Sequence, residues 1–517
     1  MVRKLLLILL LCIPAAMAET YYIKPTGNDG ATGLSLETAW LTLAKVSTSI
    51  SPGDSVLFAD GTYRGQLIVV GGEYGNHTYY GAVSGASASV YLYRSTALTS
   101  WTQIGSTNRY YASATGLDSL HDTDPACTDS EAGAIFQNDS VFIRASDSAT
   151  LSAGRWWADD ETVVVAAYDL GSGYDPSEYS FERGHAYGVY FDGDSYVTME
   201  NLTFKYADLA NMRFGGECDS IFIYNCMFSC AGGWSGKNPS NIITNLITAQ
   251  CKYWRIEDCT FEHVGSHYNY ALDLAHGAWL TIYAVSKSHI KDCTFRGRYQ
   301  KTGIWVKNDG IDTLFYDTIQ GCTIECIDRP AIWFNRNARH IAIIGNLFKN
   351  CTSTSGTITV CYGDEAGNGD YDILSNTFYL CTWGIKYTTC GNAYPINFEC
   401  AFRYNTIYAT GNYTIEYADT AFAADSNLYH IEGDTTLTVD GSSRTLAVWR
   451  GTFFLDIRSW FVDSLVMDGN YQPTNWPRWT TPITLGDRIY YGPGWAWACL
   501  NRFRYHGIAV QGSVNQK

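Results

Sequence analysis

The phrase Asp258-Cys259-Thr260-Phe261 returns as Asp292-Cys293-Thr294-Phe295, and this recurrence decides the fold. Working outward in both directions, the same phrase appears as Glu200-Asn201-Leu202-Thr203-Phe204 and Asn225-Cys226-Met227-Phe228. Later copies read Gly321-Cys322-Thr323-Ile324, Gly345-Asn346-Leu347-Phe348, Ser375-Asn376-Thr377-Phe378 and Tyr404-Asn405-Thr406-Ile407. From Phe204 to Phe228 is 24 residues, and from Phe261 to Phe295 is 34. A repeat of that size means stacked supersecondary units, none of which can bury its apolar side alone.

The local pattern says which unit. Ser220-Ile221-Phe222-Ile223 and Gly303-Ile304-Trp305-Val306 alternate with the period of a strand, which excludes helical repeats. Two or three short strands joined by sharp turns fill about 24 residues, and the longer copies carry loops.

With these repeats in place, the chain resembles the secreted right-handed parallel β-helix proteins of the pectin-lyase-like superfamily. Tyr21-Tyr22-Ile23-Lys24-Pro25-Thr26-Gly27-Asn28-Asp29-Gly30 is similar to that family's mature N-terminus. So are Pro52-Gly53-Asp54-Ser55-Val56 and Gly61-Thr62-Tyr63-Arg64. The resemblance implies an all-β, right-handed parallel β-helix solenoid with an N-terminal capping helix and a small β-rich insertion. The helix is expected between Thr38 and Ile50, with Leu41 and Ala44 on its apolar face. The resemblance also implies polysaccharide lyase or glycoside hydrolase chemistry, with adhesins and fibres as the rival class. Fold alone does not choose among these. The polygalacturonase blocks are missing apart from a faint Ala275-His276-Gly277.

The organisation expected along the chain is a signal peptide at 1–18, then an N-terminal cap and first coil at 19–76. A β-rich insertion follows at 77–180, coils at 181–430, and an aromatic-rich segment at 431–517. Arg3 and Lys4 precede a short apolar run, and Ala16-Met17-Ala18 has the small-x-small spacing of a cleavage site. That run is too short to span a bilayer, and no later stretch is long enough, so no transmembrane segment is expected. A secreted or periplasmic location follows.

Of 517 residues, 17% are charged, with 35 basic and 51 acidic side chains and a formal net charge of −16. That balance argues against nucleic acid as a partner, because such binding starts with cationic neutralisation of phosphates. A polysaccharide substrate or glycan ligand is the expected partner.

Removing Cys12 from the 16 cysteines leaves an odd number. Cys226, Cys259, Cys293 and Cys322 share one repeat column, continued by Asn346, Asn376 and Asn405. Thiols stacked as small interior hydrophobes and disulfides between rungs both fit that spacing.

The strand after each phrase places Met212, Leu272, Ile304, Ile332, Ile358 and Ile385 inward. The next residues then face out as Arg213, Asp273, Trp305, Trp333, Thr359 and Lys386. Trp305 and Trp333 are expected as an exposed platform, since sugar faces stack on indoles, with Arg213 and Lys386 as further substrate-binding residues. Asp273, Lys307, Arg336 and His276 are the catalytic candidates. Hydrolysis needs two carboxyls: Asp273 with Glu262, Asp309 or Asp328. Elimination needs a base and a cation for a uronate carboxylate, which suits Lys307, Arg336 and His276. No cofactor is required by this reading, and calcium is the metal that Asp192-Gly193-Asp194, or Asp364-Glu365 with Asp370, would suit.

Overall fold

The computed structural model describes residues 18–83, 90–105, 107, 109–113, 135–144, 155–158, 162–166, 175–231, 240–244, 251–262, 278–283, 285–297, 302–307, 316–325, 329–335, 340–353, 356–362, 369–389, 398–410, 413–415, 422–425, 427–432, 436–439, 442–445, 460–461, 483–485 and 488–490. The leader, and the turn acids Asp364 and Glu365, lie outside the described residues.

The chain winds as a parallel β-helix. One coil runs Val197–Glu200, Thr203–Lys205, Ala207–Gly215, and the next runs Ile221–Tyr224, Met227–Ser229, Ser240–Thr244. Equivalent strands pair in parallel, so the coils stack into three long sheets. The first sheet has 12 strands, from Thr20–Ile23 to Phe422–Asp425. The second also has 12, from Gly61–Arg64 to Trp460–Phe461. In sequence, the extra residues of the longer repeats fall before or after the third-sheet strands.

Each element of the repeated phrase has a separate physical job. The residue between the first-sheet and second-sheet strands is left-handed: Asn201 (φ 60), Asn225 (φ 46), Asp258 (φ 55), Asp292 (φ 54), Gly321 (φ 64) and Gly345 (φ 64). Asn, Asp and Gly tolerate that conformation best, which is why they recur there. The next residue turns inward and stacks in a column. Its thiol members bond to carbonyls of the preceding coil, as Cys259 Sγ does to Ile223 O at 3.6 Å and Cys293 Sγ to Ile256 O at 3.4 Å. Further on, the column becomes amide: Asn346, Asn376, Asn405 and Asn427 are all buried. The Phe of the phrase fills the core, with Phe228–Phe261 and Phe261–Phe295 stacked at 5.1 and 4.7 Å.

Of the two cysteine arrangements, the thiol ladder is the one observed. All ten cysteines whose side chains are described are buried thiols. Burial raises the column thiols Cys226, Cys259, Cys293 and Cys322, Cys226 to about 12, so these four stay protonated and behave as small hydrophobes.

Helix α1 (Leu43–Ser49) is shorter than expected and buries a different face. Leu43 and Val46 point into the core, while Leu41 is 40% exposed. The N-cap explains this: Thr42 Oγ1 accepts from Lys45 N at 3.2 Å, so the first turn starts after Leu41. Leu41 and Ala44 therefore lie off the buried stripe. Ser47 Oγ accepts from Ile68 N at 3.0 Å, tying α1 to the first coil.

The elaboration begins later than residue 77. Thr78–Ala82 and Val90–Tyr93 are coil strands of the first and second sheets. The inserted strands come after them: Ser95–Ala97 and Ile135–Gln137 pair antiparallel with the front of the long strand Phe181–Asp192. The back of that strand continues the third sheet beside Ala207–Gly215. Past 431, Trp460–Phe461 adds one more rung to the second sheet.

Candidate active site on the third sheet

The third sheet positions the predicted residues by register. Arg213 pairs with Tyr190 on one side and Ile243 on the other. Ile243 pairs with Thr281, Thr281 with Trp305, and Trp305 with Trp333. Thr359 and Lys386 complete the column. Arg213, Trp305, Trp333 and Lys386 thus share one column, as their spacing predicts.

Two expectations need correction. The column position assigned to Asp273 is held by Thr281, and Leu280, not Leu272, is the inward neighbour paired with Ile304. The stretch of sequence between Glu262 and Ala278 is longer than the other repeats suggest, so counting from the phrase lands early. A whole rung, Ser240–Thr244, also lies between Arg213 and Thr281. Asp273, His276 and Arg336 lie outside the described residues, as do Asp309 and Asp328.

The second correction concerns the platform. Trp305 is only 2% exposed, so it is not an open binding surface. It stacks on Trp333, with ring centroids 5.8 Å apart and planes at 27°. Trp333 is half-buried and is the accessible member of the pair. Flat indoles on adjacent rungs cover each other, which strand alternation alone does not reveal.

The cations at both ends of the column lie over aromatic rings. Arg213 Cζ sits 4.3 Å from the centroid of Tyr187 and 5.7 Å from that of Tyr190. Lys386 Nζ lies 4.6 Å over Trp383. Such contacts fix long side chains in place. Two residues along, the backbone register sets Tyr283, Lys307 and Asn335 side by side.

A second group of ionisable residues was missed in the sequence, because its members are far apart in the chain. Arg64 makes a bidentate ion pair with buried Glu182 at 2.7 and 2.8 Å, and Ser95 Oγ donates to the same carboxylate at 2.9 Å. Nearby, Lys205 Nζ reaches Asp139 Oδ1 at 3.0 Å, and Tyr206 donates its hydroxyl to that oxygen. Burial, and then the hydrogen bond to Asp139, drive the Tyr206 phenol well above its ordinary range. These groups fasten the insertion to the second sheet. Glu262, a predicted second carboxyl, is buried and held by Arg296 Nε at 2.7 Å, which makes it a structural ion pair.

Among the described residues, no cluster of three or more His, Cys, Asp or Glu could hold a metal ion. Asp194 in the Asp192-Gly193-Asp194 turn accepts from Gly71 N at 3.0 Å and Asp192 N at 2.9 Å, so its carboxylate serves the backbone. No described helix is long and apolar enough to cross a membrane.

No family model and no curated protein sequence matches the chain. Among solved structures it is similar to XylC in complex with xylose, with a TM-score of 0.48 at 14% identity over 81% of this chain and 69% of that one. A glycoside hydrolase gives 0.47 at 11% identity, over 82% of this chain and 95% of that one. Pectate lyase Pel9A gives 0.39 at 10% identity, over 84% and 80%. These are distant likenesses, and the chemistry of this chain is read from its own residues.

Proposed function

We propose that this chain is an exported carbohydrate-active enzyme that cleaves an extracellular polysaccharide laid along the third sheet. The observation that carries the reading is the single column Arg213, Trp305, Trp333, Lys386. Six rungs separate its ends, about 29 Å at the strand spacing, which suits an extended chain of several sugars. Trp333 offers an apolar face for a pyranose ring, and buried Trp305 braces it from the adjacent rung.

Cations at both ends of the column favour a uronate-containing substrate and cleavage by β-elimination. In that reaction a base takes the proton α to the carboxylate, the carboxylate charge is neutralised, and the bond to the leaving oxygen breaks. Lys307, on the same strand as Trp305, is the base we assign. Arg213 and Lys386 hold flanking carboxylates, while Asp273, His276 and Arg336 remain candidates outside the described residues.

The test is Lys307→Ala and Trp333→Ala, assayed on whichever polysaccharide the wild type degrades. The expected results are loss of turnover for the first and an increase in KM of about tenfold for the second. Wild-type kinetics in both variants would overturn the assignment.

A further inference from the structure

A different face of the coil carries a regular aromatic ridge. The turn leading into each first-sheet strand ends in a residue whose equivalents stack from coil to coil. Backbone hydrogen bonds fix the register: Tyr196 N donates to Asp219 O, Ser220 N to Lys252 O, and Tyr253 N to Ser286 O. Beyond these, Thr318 pairs with His289 and with Ala342, which aligns Lys287, Tyr316 and His340. The column therefore reads Tyr196, Ser220, Tyr253, Lys287, Tyr316, His340.

Tyrosines occupy every second rung, so their rings are set about 10 Å apart at the strand spacing. That is the scale of one disaccharide along an extended glycan. Tyr253 is 49% and Tyr316 43% exposed. Between them Lys287 Nζ lies 5.1 Å over the Tyr253 ring and 3.2 Å from its hydroxyl. Tyr316 stacks flat on His340, with centroids 4.9 Å apart and planes at 8°. At the other end Tyr74, 89% exposed, meets Tyr196 edge-on at 6.2 Å.

The backbone does not ask for these residues. Tyr196, Tyr253, Lys287 and His340 have φ of 58, 62, 57 and 53, where Asn, Asp or Gly would fit with less crowding. At the next turn of the coil Asn, Asp or Gly takes that conformation at six of eight positions, with Ser375 and Tyr404 at the other two, whereas here Tyr253 keeps an exposed ring. Tyr196 is partly covered, whereas Tyr253 and Tyr316 are exposed two rungs apart, and exposed aromatic groups at that spacing make a binding surface.

We infer that the ridge Tyr196–Tyr253–Tyr316 is a second, non-catalytic polysaccharide-binding site that takes an extended glycan by stacking alternate sugars on the phenol rings. It is independent of the third-sheet column and does not require that the chain cleave anything.

Affinity electrophoresis of the full chain through gels containing xylan, polygalacturonate or a mixed-linkage β-glucan tests it. At least one of these should retard the wild type. The double variant Tyr253→Ala/Tyr316→Ala should lose affinity for it by about tenfold or more. Tyr253→Phe/Tyr316→Phe, which keeps the rings, should retain most of the retardation. The thermal midpoint should not change in either variant. No retardation of the wild type by any gel, or equal retardation of wild type and alanine variant, would overturn the inference. Equal loss in the alanine and phenylalanine variants would also overturn it, since the stacking surface would then not be the determinant.

Discussion

Asn376 donates its side-chain amide to Asn405 Oδ1 at 3.1 Å, and Asn405 Oδ1 also accepts the backbone N–H of Asn376 at 2.9 Å. The same pattern links Asn346 to Asn376 and Asn405 to Asn427. Each amide also reaches back to a carbonyl of the coil before, as Asn376 does to Ile343 O at 2.9 Å. A buried turn is thereby supplied with the partners its backbone would otherwise lack.

Asn376→Ala should destabilise the fold by about 2–4 kcal/mol, because it leaves several buried donors and acceptors without partners at once. Cys293→Ala, in the thiol half of the same column, should cost only about 1 kcal/mol, since mainly packing is lost. Chemical denaturation midpoints of the two variants check the contrast. Equal losses would mean that the amide ladder carries no special weight.

Asp317 gives the fold a pH dependence. Its carboxylate is buried, one oxygen accepting from Ser288 N and Ser288 Oγ at 2.7 Å each and the other having no partner among the described residues. Burial raises it from 3.8 to about 7, against the opposing pull of the two Ser288 hydrogen bonds. The folded state thus binds this proton more tightly than the unfolded chain. The contribution to stability is fully present below the unfolded value and is lost as pH rises through about 7. Asp317→Asn should leave stability near pH 4 about unchanged and raise it near pH 8 by a few kcal/mol. Thermal midpoints across that interval measure it, and parallel curves for the two proteins would refute the assignment.

Arg64→Ala should destabilise the chain by about 2–3 kcal/mol, because Glu182 keeps its burial and loses its cation. Adding Glu182→Ala should recover part of that loss. Protease susceptibility of the insertion offers a second readout, with faster cleavage expected in the single variant. A double variant less stable than the single one would contradict the ion-pair account.

The coil architecture was legible because β-helix packing repeats its demands at every turn. A left-handed corner selects Asn, Asp or Gly, a confined inward site selects Cys or Asn, and the core selects Phe. Each constraint is local, so it shows in the order of residues. Register on the third sheet was partly legible, because few residues separate the strands of Trp305 and Trp333 from the repeated phrase before them. It failed at Asp273, where a longer stretch of sequence between Glu262 and Ala278 broke the count and left Thr281 in the column. The burial of Trp305 and the Arg64–Glu182 pair depend on contacts between distant segments, 118 residues apart in the second case. No local pattern encodes those. The helix face was misjudged by one cap residue, Thr42.

The central claim is that this chain cleaves a polysaccharide. It is tested most directly by incubating the purified protein with a polysaccharide panel, neutral and uronate-containing. Products are followed both by ultraviolet absorbance of unsaturated ends and by release of reducing ends. The account predicts unsaturated products from at least one uronate-containing polymer, abolished in Lys307→Ala. Neither signal from any polymer, with glycan binding retained, would contradict it and leave a binding protein in its place.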